Sequence, residues 1–473
     1  MMTLGHASRL IPHSRVEGAA ATTFTAVSTD SRSAPTGCLF VALRGPRFDG
    51  HSHAAAALAR GAVALLVERQ LDLDCPQLIA GDSRRALGQL AGGWRAGFHF
   101  PLAAVTGSNG KTTVTQMVSS ILARAYGHRG GRPAWAATRG NLNNEIGLPL
   151  MLLELAPGHR AAVFELGMNH PGEIAYLAAL ARPTVALVNN AQREHQEFLD
   201  GVEATARENG AVIEALAPDG VAVFPADDPC ARIWRRAAGT RRVLDFGLGE
   251  QAAVTAEYRS TPTGSALSIA TPVGVIETQL HVAGVHNVHN ALAACACALG
   301  LGVGAAPIAA GLAAFAAVGG RGVQLRALDG AVLIDDTYNA NPDSVRAAID
   351  VLAQARSPRL LILGDLGEVG ANGPQFHQEI GTYAAARGIE RLLAAGAATA
   401  DAVRAFGAGG RHFETVEELL RVLGASLPEA IAEPAAGPAA ATILVKGSRF
   451  MRMERVVALL RADDVARASP EHS

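Results

Sequence analysis

The sequence predicts an α/β protein built on parallel sheets and divided into three blocks. Short apolar runs alternate with helix-length segments along much of the 473-residue chain, the pattern left by stacked strand–helix–strand units. The length exceeds what one hydrophobic core usually spans, so roughly two to four domains are expected. Several of the apolar runs end in polar or glycine-bearing turns that open a helix, and open α/β sheets gather their ligands at such strand ends.

The first block, residues 1 to about 98, mixes short apolar runs and turns with an Ala-rich helix at Ser52–Arg60 and a strand at Ala62–Val67. The second opens with a strand at Leu102–Val105. Further strands are expected at Ala161–Leu166, Thr184–Val188 and Gly220–Phe224, with helices at Pro171–Ala181 and Val202–Leu216. The third block follows Arg321 and places strands at Val332–Ile334, Leu360–Leu363, Arg391–Ala394 and Ile443–Val445, with helical stretches between them. It reads as a second, smaller doubly wound sheet. Its closing helix is expected over Phe450–Leu460, with Ser448 as the cap.

Composition excludes several classes. A net charge of −2 gives no support for nucleic-acid binding through phosphate neutralisation. The five cysteines (Cys38, Cys75, Cys230, Cys295, Cys297) form no C-x-x-C pair. Their odd number points to a reduced, cytoplasmic setting without disulfides or a zinc site. The first residues lack the apolar core of a secretory leader. Thr278–Gly320 contains no Asp, Glu, Lys or Arg, but it is mostly Ala and Gly and is interrupted by Asn287, His289, Asn290 and Pro307. Membrane insertion depends on Leu, Ile, Phe and Val, so two buried helices joined near Gly300–Gly304 are expected instead of a span.

Only Lys111 and Lys446 are lysines, against 39 arginines. A chain so biased marks each surviving lysine as a place that needs a compact ammonium in preference to a planar guanidinium. Lys111 lies in Gly107-Ser108-Asn109-Gly110-Lys111-Thr112-Thr113, between a strand and a helix. Small residues there let backbone N–H groups close around phosphate oxygens at a helix N-terminus. Lys111 would reach the outer phosphates and the Thr112 hydroxyl a magnesium ion. Val105 stands where the longer loop pattern has its first glycine, so this is a shortened version.

Glu165 ends the next strong strand and is placed to enter the same cleft and hold magnesium through oxygen. Asn189, Asn190 and His195 follow the end of the strand after that; read alone, His195 is an ordinary loop histidine. Asn287 and Asn290 share a helix face and by themselves read as a cap or a buried polar contact. Asp335-Asp336-Thr337-Tyr338-Asn339-Ala340-Asn341-Pro342-Asp343-Ser344 is too polar a loop for packing, and Lys446 ends a strand as Lys111 nearly does.

Three longer strings carry a resemblance: Gly140-Asn141-Leu142-Asn143-Asn144-Glu145-Ile146-Gly147, Glu165-Leu166-Gly167-Met168-Asn169-His170-Pro171-Gly172-Glu173-Ile174, and Asp336-Thr337-Tyr338-Asn339-Ala340-Asn341-Pro342. With the phosphate loop they make the chain resemble, over nearly its whole length, the Mur ligases, the ATP-dependent amide-forming enzymes of peptidoglycan precursor synthesis. The strings most resemble those of one branch of the family, which implies UDP-N-acetylmuramoyl-tripeptide and D-alanyl-D-alanine as the substrates. The resemblance implies three domains: a small N-terminal α/β domain over 1–98 for the UDP end of the substrate, a central P-loop ATPase domain over 99–321, and a Rossmann-like C-terminal domain over 322–473. It implies a monomer that uses ATP and Mg²⁺. An acyl phosphate would form on the tripeptide and then be attacked by the amine of the dipeptide.

Carried over by residue, the loop residues Gly107 to Thr113 hold ATP, and Thr112, Glu165 and His195 lie on the metal side. Asn287 and Asn290 contact adenine, while Arg321 and Asp336 hold the nucleotide from the domain junction. Ser31 and Arg32 match the uridine-side turn, and Asn141, Asn143, Asn144, Asn339, Asn341, Lys446 and Arg449 face the substrates. Lys446 is open between the dipeptide carboxylate, a phosphate and its own turn. One departure stands out: many Mur ligases have a carbamylated lysine where this chain has Asn209, so a second magnesium, if one binds, is expected on His195, water and Asn209 or Glu208. Two alternatives stay open: a Mur- or folylpolyglutamate-type ligase with another amine substrate, and a silent nucleotide-binding scaffold.

Overall fold

The computed structural model describes residues 1–194, 197, 199–261, 263–327, 330–431 and 441–461. Its centre is a six-stranded sheet in the spatial order Trp135–Ala137, Ala161–Glu165, Leu102–Thr106, Val185–Val188, Val221–Val223, Arg242–Val243. All its ladders are parallel. Every residue of Leu102–Thr106, Ala161–Glu165 and Val185–Val188 is buried. Unbroken apolar runs of this kind belong to strands covered on both faces. The chain leaves Leu102–Thr106 towards one side of the sheet and later returns on the other, which opens a crevice at that strand's carboxyl end.

One face of the sheet carries the helix Lys111–Tyr126 together with Val285–Gly300 and Ala305–Ala314, which share a core. The charge-free stretch holds two helices, as expected, but only Val285–Gly300 is largely buried, since Ala305–Ala314 buries just Ile308, Gly311 and Leu312; no described helix is long and apolar enough to cross a membrane. Their small residues permit close approach: a Cβ on Gly311 would lie 2.4 Å from the Cα of Ile121. Ser120 Oγ donates to the Gly311 carbonyl at 2.7 Å, so this contact fixes the roll of the helix that begins at Lys111.

The same core includes Leu267, Ile269, Ile276 and Leu280 from a three-stranded antiparallel sheet, Thr255–Thr261, Gly264–Thr271 and Gly274–Leu280, which the sequence reading did not foresee. Its signal is the recurrence of Thr-Pro-x-Gly at 261–264 and 271–274, a turn signature between apolar-alternating runs.

The N-terminal sheet runs Arg15–Glu17, Gln77–Ile79, Ala64–Val67, Cys38–Val41, Ala26–Ser28. Its expected helix begins as a 3₁₀ turn at Gly50–His53, where the Asp49 carboxylate accepts from His51 N, and becomes α-helical only at Ala54–Ala59.

The C-terminal sheet has the order Val323–Arg326, Val332–Asp336, Thr442–Lys446, Arg359–Gly364, Arg391–Ala395, Gly410–Phe413. With six strands it equals the central sheet in number and is not the smaller one expected. The two outer strands, one of them antiparallel, escaped the sequence reading because polar residues break their apolar runs. The expected helix over Phe450–Leu460 divides into a 3₁₀ turn, Arg449–Met451, and a helix at Glu454–Leu460. The break is Arg452, at φ 52°. Ser448 does not cap it with its side chain: the hydroxyl donates to Ala340 O and accepts from Gly367 N, at 3.0 and 2.8 Å.

Gly311→Ala is expected to lower stability by about 1–3 kcal/mol through overpacking against backbone, outweighing the gain in helix propensity. Thermal unfolding checks this, with an unchanged melting temperature as the contrary result.

Candidate active site

The phosphate loop leaves its strand at Thr106 and has almost no side-chain bulk of its own. Gly107 and Gly110 lie at φ 130° and 82°, where a side chain is strained. A Cβ on Gly110 would sit 2.4 Å from Asn290 Oδ1 and 2.5 Å from Asn189 Nδ2. Amide side chains brace the loop from outside. Asn190 Oδ1 accepts from Asn109 N at 2.8 Å, and Asn189 Nδ2 donates to Asn109 O and to Asn290 Oδ1 at 2.8 and 2.9 Å. Asn209 is fully buried, and its Oδ1 accepts from the Thr106 hydroxyl at 2.7 Å and from Gly107 N at 3.1 Å.

Glu165 stands in ladder register with Val105 on the neighbouring strand, which brings its carboxylate to the first turn of the loop helix. It accepts from Thr112 Oγ1 and from Asn143 Nδ2, both at 2.7 Å. Lys111 Nζ donates to the carbonyls of Gly107 and Ser108 at 2.7 and 3.0 Å and pairs with Glu194 at 3.2 Å.

The C-terminal sheet faces this loop. Asp336 and Lys446 end adjacent parallel strands in the same register, and Lys446 Nζ donates to Asp336 at 2.6 Å and to Asn339 O at 3.1 Å. Lys446 is buried, and its contacts with Asn339 O and Asp336 tie its strand end to the turn after Asp336. Asn341 caps the helix Pro342–Ala353 and exchanges two side-chain hydrogen bonds with Asn109, at 2.9 and 3.2 Å. The guanidinium of Arg321 lies 4.0 Å from the centre of the Tyr338 ring, and Arg449 N donates to Asn339 Oδ1 at 3.4 Å.

A second link crosses beside it. Arg193 is paired with Asp343 at 2.5 Å and with Glu379 at 2.7 Å, and its backbone N donates to Asp343 Oδ2 at 2.9 Å. Arg346 also reaches Glu379 at 2.7 Å. The hydrogen bond from Arg193, helped by Arg346, holds the Glu379 carboxyl down at about 2. Hydrogen bonds donated to Glu379 and Asp343 hold Arg193 above the ordinary guanidinium range.

Between the two halves lies a cleft of about 690 Å³ lined by Ser108 to Thr113, Glu165, Asn141, Asn143, Asn144, Asn287, Asn290, Arg321, Asp336, Asn339, Asn341 and Lys446. The residues predicted from sequence thus converge, with stated exceptions. Ser31, Arg32, Gly107 and Arg449 do not line this cleft; Arg32 folds back on Asp30 at 2.9 Å. Asn144 uses its Oδ1 to accept from Ile146 N and Gly147 N. Asn287 and Asn290 are hydrogen-bonded to each other at 3.1 Å, the buried polar contact their spacing first indicated. His195 lies outside the described residues. Sequence reasoning missed Gln192, Arg193, Glu194 and Glu379, whose partners lie far away along the chain.

Comparison with known proteins agrees with this geometry. Residues 23–91 match the catalytic domain of the Mur ligase family, 105–298 the Mur ligase middle domain, and 320–449 the Mur ligase glutamate ligase domain. The UDP-N-acetylmuramoyl-tripeptide–D-alanyl-D-alanine ligase of Escherichia coli is 40% identical over 93% of this chain and 94% of its own.

The chain belongs to the Mur ligase family. The ligase of the same name from Haemophilus influenzae is 36% identical over 92% of this chain and 93% of its own. A crystal structure of MurF from Acinetobacter baumannii superposes with a TM-score of 0.89 at 35% identity, covering 96% of this chain and 98% of that one. This Mur ligase therefore has the three-domain α/β architecture expected from its sequence.

The oxygen donors of Thr112 and Glu165 meet at the loop, a donor set that suits magnesium, which takes one or two carboxylates and completes its shell with phosphate and water. Of the groups expected at a second magnesium, His195 lies outside the described residues, and the other two are engaged in hydrogen bonds. Both oxygens of Glu208 accept from backbone, Gly172 N and Ile174 N, and Asn209 Oδ1 is committed to the loop.

Asn209→Ala leaves two buried donors unpaired, at about 1–3 kcal/mol each. Denaturant unfolding should register that loss, and calorimetry with ADP should register weaker binding. The Glu379 pairing has a pH signature. A carboxyl near 4.5 when unfolded and about 2 when folded contributes stability that is complete above its unfolded value and is lost as pH falls through its folded value. Wild type should therefore exceed Glu379→Gln in stability most at about pH 7, with the gap closing towards about pH 2. A gap that does not change with pH would contradict this.

Proposed function

We propose that this protein is an ATP-dependent ligase that joins D-alanyl-D-alanine to UDP-N-acetylmuramoyl-tripeptide in the cytoplasm, with magnesium, for peptidoglycan synthesis and hence cell division. The observation that carries the reading is the cleft in which a phosphate loop with Lys111, Thr112 and Glu165 faces Asp336, Arg321 and Lys446 of the C-terminal sheet. Two buried atoms lining it, Asn189 Oδ1 and Arg321 Nε, have no hydrogen-bond partner among the described residues, as suits groups that await a polar ligand. The proposed domains are 1–98 for the UDP end of the substrate, 99–321 for ATP and 322–473 for the dipeptide.

In this reading the backbone N–H groups after Gly107 and the ammonium of Lys111 bind the ATP phosphates. Asn287 and Asn290 border the base, and Arg321 with Asp336 holds the nucleotide from the far wall. The tripeptide carboxylate attacks the γ-phosphorus, forming an O–P bond as the bond to ADP breaks. The dipeptide amine then attacks the acyl carbonyl and phosphate leaves. Thr112, Glu165 and His195 would hold magnesium, which would supply charge neutralisation where two anions must meet. Lys111 supplies the same from the protein side, with strength that rises as water is excluded. The C-terminal sheet shields the acyl phosphate from water. Asn339, Asn341, Lys446 and Arg449 position the dipeptide, and Asn141, Asn143 and Asn144 the tripeptide end.

Phosphate release from ATP with the UDP-linked tripeptide should depend on D-alanyl-D-alanine, and the product should have the mass of the pentapeptide. Release that ignores the dipeptide would sink the assignment. Lys111→Arg should lower the rate about a hundredfold, because a planar guanidinium does not fit a niche closed by the Gly107 and Ser108 carbonyls.

A further inference from the structure

Gln192, Arg193 and Glu194 are consecutive, yet their side chains serve both halves of the cleft. Gln192 Oε1 accepts from Asn109 Nδ2 at 2.5 Å, and Gln192 N donates to Ser108 Oγ at 2.9 Å, which anchors the segment to the phosphate loop. Arg193 is clasped by Asp343 and Glu379 on two helices of the C-terminal half, Pro342–Ala353 and Gly373–Ala386. Glu194 turns back and pairs with Lys111.

An ammonium has three protons to donate. Two of those of Lys111 go to carbonyls of the loop itself, and the third direction is occupied by Glu194, at 3.2 and 3.4 Å from its two oxygens. The two side chains are only 15% and 12% exposed, so water screens the pair weakly. A phosphate that approaches Lys111 meets this carboxylate as a second anion in the same place. The loop carbonyls are fixed by the chain, so Glu194 is the partner that must yield.

We propose that Glu194 is a positioning residue that occupies the phosphate position on Lys111 until nucleotide enters, and that Arg193 couples its departure to the seating of the C-terminal sheet. The inference rests on the nucleotide-binding reading of the loop. The coupling is mechanical: Arg193 N itself donates to Asp343 Oδ2, so the Gln192–Arg193 peptide, one residue before Glu194, is held by the C-terminal half. Glu194 swings away from Lys111 most easily when that hold is released. Linkage makes the effect reciprocal: loosening the clasp must favour phosphate, and phosphate must loosen the clasp.

The test is calorimetric titration with ADP, with EDTA and again with magnesium chloride, of wild type, Glu194→Gln, Glu379→Gln and the double variant. Glu379→Gln acts from the far end of the clasp and touches neither the loop nor Lys111. Glu194→Gln should tighten ADP about fivefold or more under both conditions. Glu379→Gln should tighten it by a smaller factor, and the double variant should fall short of the product of the two. Unchanged affinity in Glu194→Gln overturns the proposal, as does weaker binding confined to magnesium, which would make the carboxylate a metal-side group. Strictly multiplicative single effects would overturn the coupling. A wild type that binds no ADP would instead overturn the nucleotide reading itself.

Discussion

The site depends on a loop that must expose its backbone N–H groups while having no bulk with which to hold its own shape. Its rigidity is supplied by neutral amides: Asn209 beneath it, Asn189 and Asn190 beside it, Asn290 behind it and Asn341 across the cleft. The choice of amide has an electrostatic reason. A carboxylate would accept the same hydrogen bonds, but in a poorly screened interior it would repel the phosphate the loop is shaped to receive. Asparagine satisfies the loop and leaves its positive potential intact. Asn209 is the clearest case, since its oxygen fixes the point where the loop departs from the strand.

The two lysines follow from similar constraints. Each ammonium sits between main-chain carbonyl and a single carboxylate: Gly107 O, Ser108 O and Glu194 for Lys111, Asn339 O and Asp336 for Lys446. A compact charge fits such niches and a guanidinium fork does not, which is why a chain so rich in arginine keeps lysine at these places. Parallel register then sets the geometry. Asp336 and Lys446, like Val105 and Glu165, stand opposite each other at strand ends, so functional groups converge without long side chains having to be ordered.

Much of this was legible from sequence because the signals are local. A strand, a glycine-bearing loop and a helix in succession predict the phosphate site, and a carboxylate ending the next strong strand predicts Glu165. What escaped has its cause elsewhere in the chain. The partners of Arg193 lie 150 and 186 residues away, and no periodicity reports such a pairing. Asn209 departs from the family's metal-binding pattern, and its fully buried amide serves the loop; burial by a distant strand has no local signature. The antiparallel sheet of residues 255–280 did have one, in its repeated turns, and it was overlooked because the neighbouring parallel units set the expectation.

The distribution of apolar packing bears on how the cleft works. One hydrophobic cluster joins the N-terminal residues to the central sheet, from Met2 and Leu90 through Leu102 to Trp234. The two clusters of the C-terminal sheet, in contrast, contain no described residue before Leu325, and those of the central sheet none after Val318. The N-terminal unit is therefore welded to the centre, while the C-terminal unit meets it through polar contacts, the Asn109–Asn341 amides and the Arg193 clasp. Polar, partly hydrated contacts between domains favour relative movement, whereas a shared core opposes it. A ligase that must admit large substrates and then exclude water needs that asymmetry. Because the clasp and the phosphate loop are joined by the three residues Gln192 to Glu194, occupation of one is felt at the other without any rearrangement of either sheet.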